Sequence, residues 1–223
     1  MRDRAAQQIL LAAFLAGIAP SAAHAADAIK AGKWEFTTQM ELPAQQSPPG
    51  GQPAKLGAVD NMIFVIDRSG SMMQDMSPLR YELKKAVRML KPEQRFALVL
   101  FTSGEPREFV PGRLVPADTA NKDQFFEYAD TIDAGGRTDP IPALKRAFAL
   151  AKSAPKSQYT AVCLLSDGVF PDVEAVVEFV RQATRDTNIH VFTYLYGQQK
   201  DAEIMMKRIA HEGKGSYNVV TRE

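Results

Sequence analysis

In the stretch IFVIDRSGSMM, residues 63 to 73, an apolar run gives way to a carboxylate, Asp67, and two hydroxyls, Ser69 and Ser71. Oxygen-bearing side chains at the end of a strand can cap a following helix, form a nucleophile loop, or hold a cation. The spacing i, i+2, i+4 lets all three point the same way in an extended loop, and Gly70 permits a tight turn between the serines. Three oxygen donors on one side suit a hard metal such as Mg²⁺, which keeps several waters and binds few carboxylates. Two further loops offer the missing donors. Thr138 follows Gly135-Gly136 in GGRTDP, and Asp167 closes the run CLLS much as Asp67 closes IFVI.

Other chemistries fit the chain less well. An aspartyl phosphotransferase ordinarily carries a second acid two residues after its nucleophile, where this chain has Ser69. GxSxG, GxGxxG and GxxxxGK[ST] are all missing from the sequence. His190 falls in a strand pattern and His211 late in a helix, neither beside another metal-type ligand, so zinc is not expected. Met72-Met73 and Met205-Met206 read as packing rather than as a soft-metal site. Cys163, the one cysteine, lies in TAVCLLS with no intrachain disulfide partner and reads as a core residue. The expectation is a protein that is not an enzyme.

The elements that position these residues alternate from Val59 onward. VDNMIFVID, RFALVLFTSG, TAVCLLSDG, NIHVFTYLYG and SYNVV read as strands, and EFVPGRLVP as a short hairpin or edge strand because of its prolines. Between them lie helical patterns: PLRYELKKAVRML with Ser77 as N-cap and Pro78 in its first turn, KDQFFEYADTI, IPALKRAFALAKS after Asp139-Pro140, VEAVVEFVRQATR capped by Asp172, and DAEIMMKRIAHEG. Continuous apolar strands separated by helices predict an α/β fold, a doubly wound, mostly parallel sheet flanked by helices on both faces. Such sheets place their site beyond the carboxyl ends of the strands, where strand order reverses. The rule selects the loops DRSGS, GGRTDP and SDG.

Over roughly residues 58 to 223 these features resemble the von Willebrand factor type A domain. That family's metal-ion-dependent adhesion site is written Asp-x-Ser-x-Ser, then a threonine after a glycine-rich loop, then an aspartate closing a later strand. Asp67, Ser69, Ser71, Thr138 and Asp167 fill the five positions. The resemblance implies a Rossmann-like fold holding Mg²⁺ or Mn²⁺, with hydroxyls from Ser69, Ser71 and Thr138, and with Asp67 and Asp167 acting partly through waters. An open coordination position would then take an Asp or Glu carboxylate from a protein or peptide partner. The implied function is a metal-dependent, adhesion-type binding module. The alternatives are an accessory subunit of an enzyme complex, or a hydrolase or phosphotransferase using Asp67.

Two departures bear on this expectation. Arg137 stands between Gly136 and Thr138, where many members place the threonine directly after the glycines. Members that switch affinity use a helix after the last strand, whereas SYNVV is followed here by Thr221-Arg222-Glu223, so a constitutive site is expected.

Composition sets the remaining bounds. With 223 residues, 45% hydrophobic and 24% charged, the chain has material for one sizeable globular core. Residues 1–25 have the order of a secretory signal peptide: Arg2 and Arg4, an apolar run from Ile9 to Ala19, then Ala23-His24-Ala25. That run is far short of the ~20 apolar residues of a spanning helix. Cleavage near Ala25 predicts a secreted or periplasmic protein without a stable membrane anchor. It would also remove Arg2, Asp3 and Arg4 and leave a formally neutral chain, which is not the footprint of a nucleic-acid binder. Residues 26–57 contain an alternating strand pattern, KWEFTTQMEL, and a Pro/Gln/Gly-rich linker, PAQQSPPGGQPAK.

Overall fold

A computed structural model of the protein describes residues 59–220. The expected signal peptide, the KWEFTTQMEL strand, the linker and residues 221–223 lie outside the described residues.

The chain alternates as the apolar periodicity predicts. Strand β1 (Asn61–Asp67) is buried at every residue, as a strand covered on both faces must be. It leads through a 3₁₀ turn (Gly70–Asp75) into α1 (Met76–Met89), then β2 (Arg95–Phe101). Two-residue strands β3 (Arg107–Glu108) and β4 (Val115–Pro116) precede α2 (Thr119–Asp130). Helix α3 (Ile141–Lys152), β5 (Thr160–Ser166), α4 (Val173–Thr184), β6 (Ile189–Tyr196), α5 (Lys200–Glu212) and β7 (Tyr217–Val220) complete the order.

The sheet runs β3-β2-β1-β5-β6-β7, with β4 also pairing to β2. Strands β2, β1, β5, β6 and β7 are parallel, while β3 and β4 pair antiparallel to β2 and not to each other. The proline-bearing EFVPGRLVP segment therefore forms two edge contacts rather than a hairpin. Alternate residues face opposite ways. Met62, Phe64 and Ile66 join Leu79, Leu83, Val87 and Phe125 on one face, while Ile63 and Val65 join Leu144, Phe148, Val180 and Met206 on the other. Helices α1 and α2 thus contribute to one core and α3, α4 and α5 to the other. An edge-to-face pair, Phe96 and Phe125 at 5.5 Å between ring centroids, fixes α2 over the β2 edge.

One expectation fails at the start of α1. Ser77 is not its N-cap: the chain already turns as a 3₁₀ helix from Gly70, so the α-helix begins at Met76 behind Asp75 and Ser77 sits exposed within the first turn. The cap expected of Asp172 forms on α4, whereas α3 has Pro140 as its N-cap with no side-chain cap bond and Asp139 bonds from just outside it. Asp172 Oδ1 accepts from Ala175 N at 2.9 Å, and Asp139 Oδ1 accepts from Ile141 N at 3.1 Å.

Candidate metal centre

Strand order reverses between β1 and β5, and both strands end there in acidic loops. The register sets Ile66 beside Leu165, which carries Asp67 level with Ser166 and brings Asp167 over the same gap. Ser69 is extended (φ −61°, ψ 169°), but Ser71 lies inside the 3₁₀ turn, whose first bond runs from Met72 N to Ser69 O at 3.1 Å. Asp67, the last residue of β1, and the extended Ser69 keep the expected alternation, and Ser71 joins them through the turn instead. With Ser69 extended at the N-cap and Ser71 inside the turn, their hydroxyl oxygens are 3.1 Å apart.

Four of the five expected residues form one hydrogen-bonded cluster. Ser69 N donates to Asp67 Oδ1 at 2.8 Å, and Ser71 Oγ donates to Asp167 Oδ1 at 2.9 Å. Sequence reading missed a further member, Ser166, whose hydroxyl donates to Asp67 Oδ2 at 2.6 Å. Its signal was present in LLSD, a hydroxyl at the last strand position before the second acid, but only pairing with β1 shows which carboxylate it serves.

Thr138 is placed on the adjoining loop and makes no side-chain hydrogen bond to the other four. That loop is stitched to DRSGS by its backbone: Gly70 N donates to Gly136 O at 3.1 Å and Gly135 N to Arg68 O at 2.7 Å. Gly136 has φ +85°, and a Cβ there would lie 3.1 Å from Thr102 Cβ, so both its conformation and its close approach to β2's end require glycine. The loop is also held from outside. Arg80 Nε donates to Ile132 O at 2.8 Å, and Arg68 and Arg107 both pair with Asp133, at 3.3 and 2.8 Å.

The electrostatics of the cluster suit a hard cation. Asp67 is fully buried, and burial pushes its carboxyl above the ordinary range; hydrogen bonds from Ser166 and Ser69 oppose that rise, and the nearby Asp167 carboxylate adds to it. Neither acid has a Lys or Arg partner among the described residues. The pair is thus a region of uncompensated negative charge lined by hydroxyls. Nitrogen and sulfur donors do not take part, and among the described residues no group of three or more His, Cys, Asp and Glu side chains is assembled. Any cation here relies on two carboxylates and hydroxyl oxygens, a donor set that fits Mg²⁺ or Mn²⁺ and not Zn²⁺.

The histidines and methionines are accounted for elsewhere. His190 is buried beside Lys214 O, 2.9 Å from its Nδ1, and Met72, Met205 and Met206 are core residues.

Known proteins share this arrangement of elements. The family model described as the von Willebrand factor type A domain matches residues 60–219. An uncharacterized protein of Escherichia coli, YfbK, is 28% identical over 166 residues, covering 72% of this chain and 28% of its own. The inter-alpha-trypsin inhibitor heavy chain H4 of Bos taurus is 38% identical over 115 residues, 48% of this chain and 12% of the relative. The chain therefore spans well under a third of the length of either relative. Among solved structures, a von Willebrand factor type A protein from Catenulispora acidiphila superposes with a TM-score of 0.66 at 23% identity, covering 74% of this chain and 39% of that one, a likeness of fold.

Proposed function

The chain belongs to the von Willebrand factor type A domain family, and from that premise we propose that it is a divalent-metal-dependent module that binds a protein or peptide through an acidic residue. The observation that carries this reading is the cluster of Asp67, Ser69, Ser71 and Asp167 at the strand-order reversal, with Thr138 on a loop bonded to it. In this reading Ser69, Ser71 and Thr138 present neutral oxygens and the two aspartates supply charge. When bound, Mg²⁺ or Mn²⁺ would supply an electrophilic position for a partner's Asp or Glu carboxylate.

The chain's own residues supply the preorganisation. Asp67 is held through both carboxylate oxygens, Oδ1 by Ser69 N and Oδ2 by Ser166 Oγ. A buried carboxylate so restrained is a poor nucleophile, which favours binding over the phosphotransferase alternative. One relative is named as a heavy chain of an inhibitor, a component of a multi-chain protein by that name, which agrees with an interaction role. Among the described residues no helix is long and apolar enough to cross a membrane. The N-terminal pattern of residues 1–25 supports secretion or periplasmic location, with residues 26–57 leading into a domain from 58 to 223.

Calorimetric titration with Mg²⁺ and Mn²⁺ tests the proposal. Wild type should bind and Asp67→Ala should not; a wild type that binds neither cation removes the metal reading. Chelator-sensitive capture of a defined partner would then test the binding role. Turnover of phosphoesters lost on Asp67→Ala would instead establish the enzymatic alternative.

A further inference from the structure

The two faces of the sheet are covered unequally. Helices α3, α4 and α5 belong to one core, and the helices that pack closely on β6 and β7 are α4 and α5 from that side. On the opposite face α2 sits over β2 and α1 lies beside it, tied by Lys84 Nζ to Asp130 Oδ1 at 2.6 Å and by Lys122 Nζ to Leu90 O at 2.5 Å. Helix axes pack about 8–10 Å apart and neighbouring strands about 4.8 Å apart. An α2 centred on β2 therefore sets α1 near β5, and β6 and β7 lie beyond both.

Phe192, Tyr194 and Tyr196 of β6 and Val220 of β7 belong to the core on that face, and all four are buried. Their burial calls for an apolar cover that the described helices do not supply. Three aromatic rings in a row are a large apolar surface to leave against water.

The chain carries a matching surface before Val59. Residues 1–25 have the signal-peptide order and 43–58 are rich in Pro, Gln and Gly, so KWEFTTQMEL is the stretch with an apolar side to offer. Its alternation gathers Trp34, Phe36, Met40 and Leu42 on one side, with Thr38 between them, and Lys33, Glu35, Gln39 and Glu41 on the other. Extended, the nine residues 34–42 match the length of β6, which has eight. The sixteen residues 43–58 can span up to ~50 Å, whereas β7 lies only about 14 Å from β1, where they rejoin the sheet. A tether of that length holds the two surfaces at a high effective concentration, an advantage over a separate molecule.

We propose that residues 34–42 seat their apolar side, Trp34, Phe36, Met40 and Leu42, on the face of β6 and β7, completing that core from within the same chain.

Trp34 is the only tryptophan, so its fluorescence in the full chain reports the seat directly. Acrylamide should quench native Trp34 several times less efficiently than Trp34 in denaturant, and the native emission should lie to the blue, at every protein concentration. NMR should show contacts from the indole protons to Tyr194, Tyr196 or Val220. Phe36→Asp, a change outside the described residues, should raise native quenching toward the denatured value while circular dichroism shows the sheet retained. Native quenching equal to that in denaturant overturns the inference, as does quenching that Phe36→Asp leaves unchanged. Protection that disappears on dilution overturns it in favour of a second copy as the cover. Indole contacts confined to other parts of the domain overturn it as well.

Discussion

The hydroxyl of Ser166 donates to Asp67 Oδ2 at 2.6 Å, joining the last residues of two neighbouring parallel strands that are 99 positions apart in sequence. Because both residues are fully buried, water cannot replace the bond. Ser166→Ala is expected to destabilise the fold by about 1–3 kcal/mol, the cost of a buried acceptor left short of its donor. It should also weaken Mg²⁺ binding by about 10–100-fold, as loss of a group that orients a metal ligand does. Denaturant unfolding and calorimetry read the two effects separately, and unchanged cation affinity would show that Ser166 serves the fold alone.

Cation binding to the folded state alone must raise its stability. At a concentration 100 times the dissociation constant the gain is about 2.7 kcal/mol, equivalent to several degrees of melting temperature in a domain of this size. Asp67→Asn keeps the shape of the site and removes a charge. Its melting temperature should therefore no longer respond to Mg²⁺, while wild type responds; equal responses would place the cation elsewhere.

The two glycines at the loop junction should differ. Gly136→Ala forces a side chain into φ +85° and to 3.1 Å from Thr102 Cβ, so a loss of at least about 1–2 kcal/mol is expected. At Gly70 a Cβ would meet only Gly136 O at 3.7 Å, ordinary contact. Gly70→Ala should cost less than Gly136→Ala, measured by urea unfolding of the pair.

His190 gives the fold a pH dependence away from the candidate centre. Its Nδ1 donates to Lys214 O, and burial lowers its pKa below the ordinary histidine value, more than the hydrogen bond to Lys214 O raises it. The unfolded chain then binds a proton that the folded one refuses. Stability should be complete above about pH 6.5, the unfolded value, and fall as pH drops toward the lower folded value. His190→Gln should flatten this part of the stability profile; an unchanged slope would mean that another group is responsible.

Cys163 faces the core on β5, and burial alone pushes its thiol far above the ordinary range. A thiol reagent should fail to label it in the native protein and label it fully in denaturant. Rapid native labelling would mean that β5 opens locally.

Much of this was legible in the chain itself. The strand runs NMIFVID, TAVCLLS and IHVFTYLY are buried at every position, because only a strand covered on both faces has use for unbroken apolarity. Asp172 caps α4 as its place before VEAVV required. Ser77 misled because a serine-proline pair is a common helix start, and the competing 3₁₀ turn gave no separate compositional sign.

The sequence by itself determined which residues carry oxygen donors, that Asp67 and Asp167 close apolar runs while Thr138 follows a glycine pair, and the α/β alternation that sends those ends to one side. These are local properties, set by side-chain chemistry and periodicity. The tertiary structure alone decided that Ser71 reaches Asp167 across 96 positions, that Ser166 serves Asp67, and that the Gly135-Gly136 loop before Thr138 is bonded to Arg68 and Gly70. Those relations follow from strand register and from two backbone hydrogen bonds between loops, and such bonds are formed by peptide groups common to every residue. No side-chain pattern in the sequence records which of them meet.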